Sequence, residues 1–145
     1  MFFKVSLFYL RKGTHSVVGT GALVRSILMV DDGSLTTSWL IEILQRERYD
    51  IEPAYDEKEA VRLYSEHRHD LTIADVRIPE TLEMLTDFNE VNPEALILLM
   101  VADELVQPDS VLNVTNMFGP VRILRKPFSL ETFLRTVEEQ LSRFR

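Results

Sequence analysis

Five short apolar runs, each followed by a stretch of helical periodicity, constrain this chain more than anything else in it. The runs are 27–30, 51–55, 71–74, 95–101 and 121–124. Their lengths suit strands, not buried helices. Strands that alternate with helices imply a parallel sheet covered by helices on both faces. The expected fold class is therefore α/β. Pro53, inside the second run, cannot donate a ladder hydrogen bond, which sends that strand to an edge.

The intervening segments read as helices. Ser34 can cap the first, through about Arg48, with Leu35, Trp39 and Ile43, joined by Leu40 and Leu44, on the inner side. Asp56 and Glu59 make a start like a capping box, with Ala60, Val61, Leu63 and Tyr64 as the apolar side. A third helix follows Pro79 to about Asn92, with Leu82, Leu85, Phe88 and Val91 in phase. Asp109 can cap a short helix from Ser110 to Met117. Ser129 caps the last, with Leu130, Phe133, Leu134, Val137 and Leu141 at core spacing. His67 and His69 are expected solvated at a helix end.

The chain has 145 residues, which suits one domain with one core. A net charge of −7 argues against general nucleic-acid or membrane-surface binding and suits a protein that binds cations. With no cysteine, thiolate chemistry and disulfides are excluded, and a cytoplasmic location is the expectation. No apolar run approaches the roughly 20 residues that span a bilayer.

Residues 1–25 read differently. Met1–Leu10 has a strand-like composition, and 11–21 carries three Gly and reads as a loop. The expected organisation is an N-terminal extension over 1–25, an added strand or dimer-forming arm, and one domain over 26–145. An appendage without function and a membrane contact are the alternatives for the extension.

The chemistry gathers at strand ends. Asp31-Asp32 follow the first run, Asp75 the third, Val101-Ala102 the fourth and Lys126-Pro127 the fifth. In open α/β sheets ligands bind beyond the carboxyl ends of the strands. Each piece alone is commonly turn or surface chemistry. Together they are a cluster of carboxylates, which at neutral pH holds either a proton or a cation. Oxygen donors favour a hard ion, Mg²⁺. A lysine at the same edge suits a phosphoryl group, and an aspartate can be the nucleophile that receives it.

Three segments carry a family resemblance: Ile-Leu-Met-Val-Asp-Asp (27–32), Asp-Leu-Thr-Ile-Ala-Asp-Val-Arg-Ile-Pro (70–79) and Leu-Arg-Lys-Pro-Phe (124–128), with Gly119 seven residues before Lys126. Residues 26–145 resemble the receiver domain of two-component response regulators. The resemblance implies a flavodoxin-like (βα)5 sandwich with strand order 2-1-3-4-5. It implies Asp75 as phosphoacceptor and Lys126 as the phosphoryl contact. Asp31, Asp32, Asp75 and the Arg77 backbone carbonyl would hold Mg²⁺. The Lys126–Pro127 bond would be cis. The implied partners are a histidine kinase or histidine phosphotransfer protein and a downstream protein target; the composition of the extension leaves homodimerisation open, and the net charge argues against a direct nucleic-acid or membrane partner. The implied role is in signalling, not as a classical enzyme.

Two positions depart from the family pattern. Val101, or a gap before Ala102, stands where receivers place Thr or Ser, and Ile123 where they tend to carry Tyr or Phe. Both halves of the usual relay are thus replaced by apolar residues, which keeps an alternative open: a receiver-like interaction or dimerisation module that acts without phosphorylation. Val-Asp-Asp-Gly-Ser-Leu (30–35) also resembles the nucleophile loop of haloacid-dehalogenase-type hydrolases, but the nucleophile's place falls on Val30. No DNA-binding motif follows the last helix, which is compatible with a stand-alone receiver or a fragment of a larger regulator.

Overall fold

The β-rich and helix-forming segments condense where their periodicity places them. The structure, a computed structural model, describes residues 17–18, 22–31, 33, 35–75, 78–102, 113–114, 116–118 and 120–142. Among these the strands are β1 (Val17–Val18), β2 (Ala22–Leu23), β3 (Ser26–Val30), β4 (Asp50–Ala54), β5 (Leu71–Asp75), β6 (Ile97–Ala102) and β7 (Val121–Lys126). The helices are α1 (Leu35–Arg46), α2 (Glu57–His67), α3 (Ile78–Val91) and α4 (Leu130–Ser142). The five longer strands form one sheet in the order β4-β3-β5-β6-β7. Counted from β3 this is 2-1-3-4-5, the expected order. The chain divides into two compact units, residues 1–70 and 71–145.

In the first unit every residue of β3 is buried, as its unbroken apolar run requires. It pairs in parallel with β4, from Ser26 opposite Asp50 to Val30 opposite Ala54. Strand β4 lies at the sheet edge with Pro53 exposed, so the missing N–H costs no ladder bond. Before β3, β1 pairs antiparallel with β2. Residues 11–21 are therefore not all loop: the β-branched pair Val17-Val18 takes an extended partner.

Helix α1 turns Leu40, Ile43 and Leu44 inward as its spacing suggests, but not Trp39. Thr37, Leu40, Ile43 and Leu44 are buried, whereas Trp39 is 53% exposed. Trp39 sits about 100° round the helix from Leu40, outside the buried arc. Helix α2 starts at Asp56, whose carboxylate accepts the Glu59 N–H at 2.7 Å. The reciprocal bond of the box is shifted by one residue: Glu59 accepts from the Tyr55 N–H at 2.8 Å. Ala60, Leu63 and Tyr64 are buried, with Val61 half-buried.

His69 is not solvated. Its side chain is fully buried, and its Nε2 lies 2.8 Å from Oε1 of Glu52 on β4. The Tyr64 ring stacks on it with centroids 6.3 Å apart, and His67 meets it edge-on at 5.8 Å. Burial pushes the imidazole below the usual histidine range, against the pull of the Glu52 hydrogen bond and charge.

In the second unit β6 pairs in parallel with β5 and with β7. Leu98, Leu99, Met100 and Val101 are wholly buried. Each such side chain contributes roughly 1.5–3 kcal/mol of transfer free energy. Pro79 falls in the first turn of α3, where its missing N–H has no intrahelical partner to lose. The buried face of α3 is Thr81, Met84, Leu85 and Phe88, at helical spacing. Leu82, expected inside, is exposed, and Val91 is half-buried.

Ser129 caps α4 as expected, accepting the Thr132 N–H at 3.0 Å. Phe128, just before the cap, stacks on Phe133 with centroids 5.6 Å apart, a hydrophobic staple at the helix entry. Phe133, Thr136, Val137, Gln140 and Leu141 are buried. Leu130 is in phase, yet in the first turn it stays exposed, and Leu134 is half-buried. Residues 113–114 and 116–117, within the expected short helix, are helical. The expected Met1–Leu10 strand, the Ser34 cap, Asp109 and Gly119 lie outside the described residues.

Candidate functional site

The first unit presents Asp31 immediately after β3. Its backbone N–H bonds the Ala54 carbonyl at 2.9 Å, which ties the chain to the end of β4 just as it leaves the sheet. Its Oδ2 accepts the Gly33 N–H at 2.7 Å. Gly33 has φ of +89°, a backbone that L side chains rarely adopt, so glycine suits this turn. Asp31 is buried, and the turn fixes its carboxylate at the chain's exit from the strand. The sequence signal for Gly33 is an Asp two residues before a Gly, an Asx-turn pattern.

The second unit brings Asp75 and Lys126 together. Asp75 is the last residue of β5, and its neighbour across the ladder is Met100 of β6. Met100 in turn pairs with Leu124 of β7. Lys126 lies two residues further along β7, as the strand's last residue, opposite Ala102. Strand β7 is thus two residues longer than its apolar run. From there the lysine reaches across β6, and its Nζ donates to Asp75 Oδ1 at 2.5 Å. The pair is partly shielded, with 20% of the Asp75 side chain and 34% of the Lys126 side chain exposed. The Lys126–Pro127 bond is cis, as the resemblance implies.

The two departing positions have definite places. Val101 lies in β6, wholly buried, opposite Arg125 of β7. Ile123 lies in β7, half-buried, opposite Leu99. The expected metal residues Asp32 and Arg77 lie outside the described residues. Among the described residues no helix is long and apolar enough to cross a membrane.

A lysine that neutralises a carboxylate at the end of another strand can exchange that partner for the oxygens of an incoming anion. While the pair is formed, the carboxylate's charge is balanced by the lysine.

Comparison with known proteins gives one consistent picture. The family model described as "Response regulator receiver domain" matches residues 27–138. The "Transcriptional regulatory protein PdtaR" of Mycobacterium tuberculosis is 32% identical over 125 residues, 86% of this chain and 60% of that protein. The chain thus spans under two thirds of that relative's length. Among solved structures, the non-phosphorylated HemR receiver domain from Leptospira biflexa superposes with a TM-score of 0.73 at 26% identity, covering 83% of this chain and 97% of that one. The chemotaxis protein CheY4 of Vibrio cholerae gives a TM-score of 0.67 at 27% identity, covering 80% and 98%.

Proposed function

Because the chain belongs to the response regulator receiver domain family, we propose that Asp75 accepts a phosphoryl group from the phosphohistidine of a histidine kinase or histidine phosphotransfer protein. The observation that carries this reading is the Lys126–Asp75 ion pair at the ends of β7 and β5. An Asp75 carboxylate oxygen attacks phosphorus, the P–N bond of the donor breaks, and the histidine leaves with the electron pair and takes up a proton. The product is an acyl phosphate. Lys126 then moves from the carboxylate to the phosphoryl oxygens, so its charge is used in both states.

The donor set fits Mg²⁺. The side chains named for the site offer carboxylate oxygens alone, and the described Asp31 carboxylate is oriented by the Gly33 N–H. Asp31, Asp32, Asp75 and the Arg77 carbonyl would hold the ion. Its charge, when bound, offsets that of the phosphoryl oxygens. Asp31, held by the Gly33 N–H, stays a fixed acceptor, and Lys126 neutralises Asp75 until the phosphoryl group arrives.

Receiver domains act in signalling and are generally not classical enzymes. The output here is a phosphorylation-dependent interaction with a downstream protein. The acidic net charge of −7 favours a protein over nucleic acid or a membrane as direct partner, and fits a cytoplasmic setting. Residues 1–25 form an extension to a receiver over 26–145, available as an added strand or for homodimerisation.

A second reading rests on Val101. Its apolar side chain is wholly buried where the family places a hydroxyl, which favours an interaction module that works without phosphorylation. Intact-mass spectrometry after incubation with Mg²⁺ and acetyl phosphate separates the two. One phosphoryl adduct, absent in Asp75→Ala and blocked by EDTA, is the expected result. No adduct on the wild type, with no Mg²⁺ binding, would leave the interaction module.

A further inference from the structure

The connection after α2 is three residues long, 68–70, and each residue is constrained in a different way. Arg68 has φ of +50° and ψ of +63°, a left-handed backbone that costs free energy at any residue with a side chain. Its N–H bonds the Tyr64 carbonyl at 2.7 Å and closes the end of α2. His69 turns inward to Glu52 on the edge strand β4, with Tyr64 and His67 of α2 against its ring. Asp70 turns to the start of β3. Its Oδ2 accepts from the Ser26 N–H at 2.8 Å and from the Ser26 hydroxyl at 3.3 Å, and the Asp70 N–H donates to that hydroxyl oxygen at 3.2 Å.

Histidine is the side chain whose ordinary titration lies near neutrality, and this cluster holds two. They differ in access to water: the His67 side chain is 12% exposed, and that of His69 is fully buried. The groups that face the His69 ring are Glu52 from β4, Tyr64 and His67 from α2, and Asp70 beside it. Burial disfavours a charge on this ring more than Glu52 favours it, so the seated ring resists a proton. Moving the ring into water removes that penalty. The same movement lets Arg68 leave the left-handed region, so one rearrangement relieves both.

We infer that residues 68–70 form a proton-released latch: with His69 seated against Glu52 they fasten the end of α2 to the edge strand β4, and a proton on His69 unseats the ring and opens the connection. The opening is local. Asp70 holds the Ser26 end of β3, whereas Asp31 follows the other end of that strand, so the latch does not depend on the phosphoryl chemistry.

The test is amide hydrogen exchange by NMR on the full chain between pH 7.5 and 5.5, with and without low urea. Protection is corrected for the intrinsic pH dependence of exchange. The Arg68 amide reports the latch, and the amides of β3 report global unfolding. Arg68 is expected to exchange through an opening that low urea does not accelerate, because little surface is exposed. Its protection should fall by up to about tenfold for each pH unit below about 6.5. His69→Gln keeps a donor for Glu52 without a titration and should remove this dependence, whereas His67→Gln should keep it. Thermal unfolding checks that both variants fold, and the wild-type measurement decides alone should His69→Gln fail to. Arg68 protection that is flat with pH, or that follows urea as the β3 amides do, would overturn the inference. So would a dependence that survives in His69→Gln or vanishes in His67→Gln.

Discussion

The ion pair between Lys126 and Asp75 makes a quantitative demand on the fold. Replacing Lys126 by Met keeps the aliphatic stem and removes the charge, leaving Asp75 with one partner fewer in a site where only 20% of its side chain is exposed. Fully exposed ion pairs are worth about 0.2–1 kcal/mol. Breaking a buried pair costs about 3–5 kcal/mol, because the remaining charge stays desolvated. With exposures of 20% and 34% and a 2.5 Å contact, this pair falls between the two. The expected cost of Lys126→Met is about 1–2 kcal/mol, or a fall in Tm of about 2–8 °C. A cycle with Asp75→Asn isolates the pair. In the Asp75→Asn background the lysine has no carboxylate to neutralise, and its removal should cost less than about 0.5 kcal/mol. The resulting coupling is about 0.5–2 kcal/mol. Urea unfolding of the four proteins at pH 7 and low ionic strength measures it. A coupling below about 0.3 kcal/mol, the level of additivity for independent sites, would refute the claim that Lys126 serves as the resident counter-charge of Asp75.

Two further predictions concern the cores of the units. His69 faces Glu52 from β4, Tyr64 and His67 from α2, and Asp70 from its own segment. Its folded-state pKa is lowered, chiefly by burial, so below pH 6.5 the unfolded chain binds a proton that the folded chain resists. Stability from this group is complete above about pH 6.5 and is lost as pH falls through the lower folded value, with a slope of at most about 1.4 kcal/mol per pH unit. Urea unfolding from pH 7.5 to 5 should show this slope in the wild type and lose it in His69→Gln; identical slopes would count against the assignment. In the second unit, Phe133→Ala removes a wholly buried ring and is expected to cost about 3–5 kcal/mol, whereas Phe128→Ala removes only the staple contact, about 0.5–1.5 kcal/mol. Chemical denaturation of both ranks them, and a larger loss from Phe128→Ala would reverse the packing described for the entry to α4.

Val101 and Ile123 show how far a family pattern carries. The resemblance says what stands at these positions in other receivers and therefore what is missing. The structure adds that Val101 is sealed from solvent in the interior of the sheet. A hydroxyl introduced there would need a hydrogen-bond partner to be tolerated, because an unpaired buried hydroxyl costs about 1–3 kcal/mol. A valine at this buried position is thus consistent with its surroundings.

The sequence by itself determined whatever depends on local chemistry. Alternation of apolar runs with helical periodicity specified a parallel sheet, because strands joined by helical crossovers run parallel and take helices on both faces. Pro53 placed β4 at an edge through one missing donor, and Asp56 and Ser129 marked helix starts through side-chain acceptors within three residues. Asp75 and Lys126 were legible at strand ends because that edge is where an open sheet admits ligands. Only the tertiary structure decided which way each helix faces and which distant groups meet. Periodicity states that a helix has a buried arc, but the sheet beneath sets its angle, so Thr37 goes inside and Trp39 outside. His69 reads as a polar residue after a helix, yet Glu52, seventeen positions away, makes its burial tolerable. The contact between Lys126 and Asp75 spans 51 residues and depends on the register of the three strands β5, β6 and β7. Such pairings leave no local trace, because register is fixed by the packing of whole strands and not by the residues that meet at their ends.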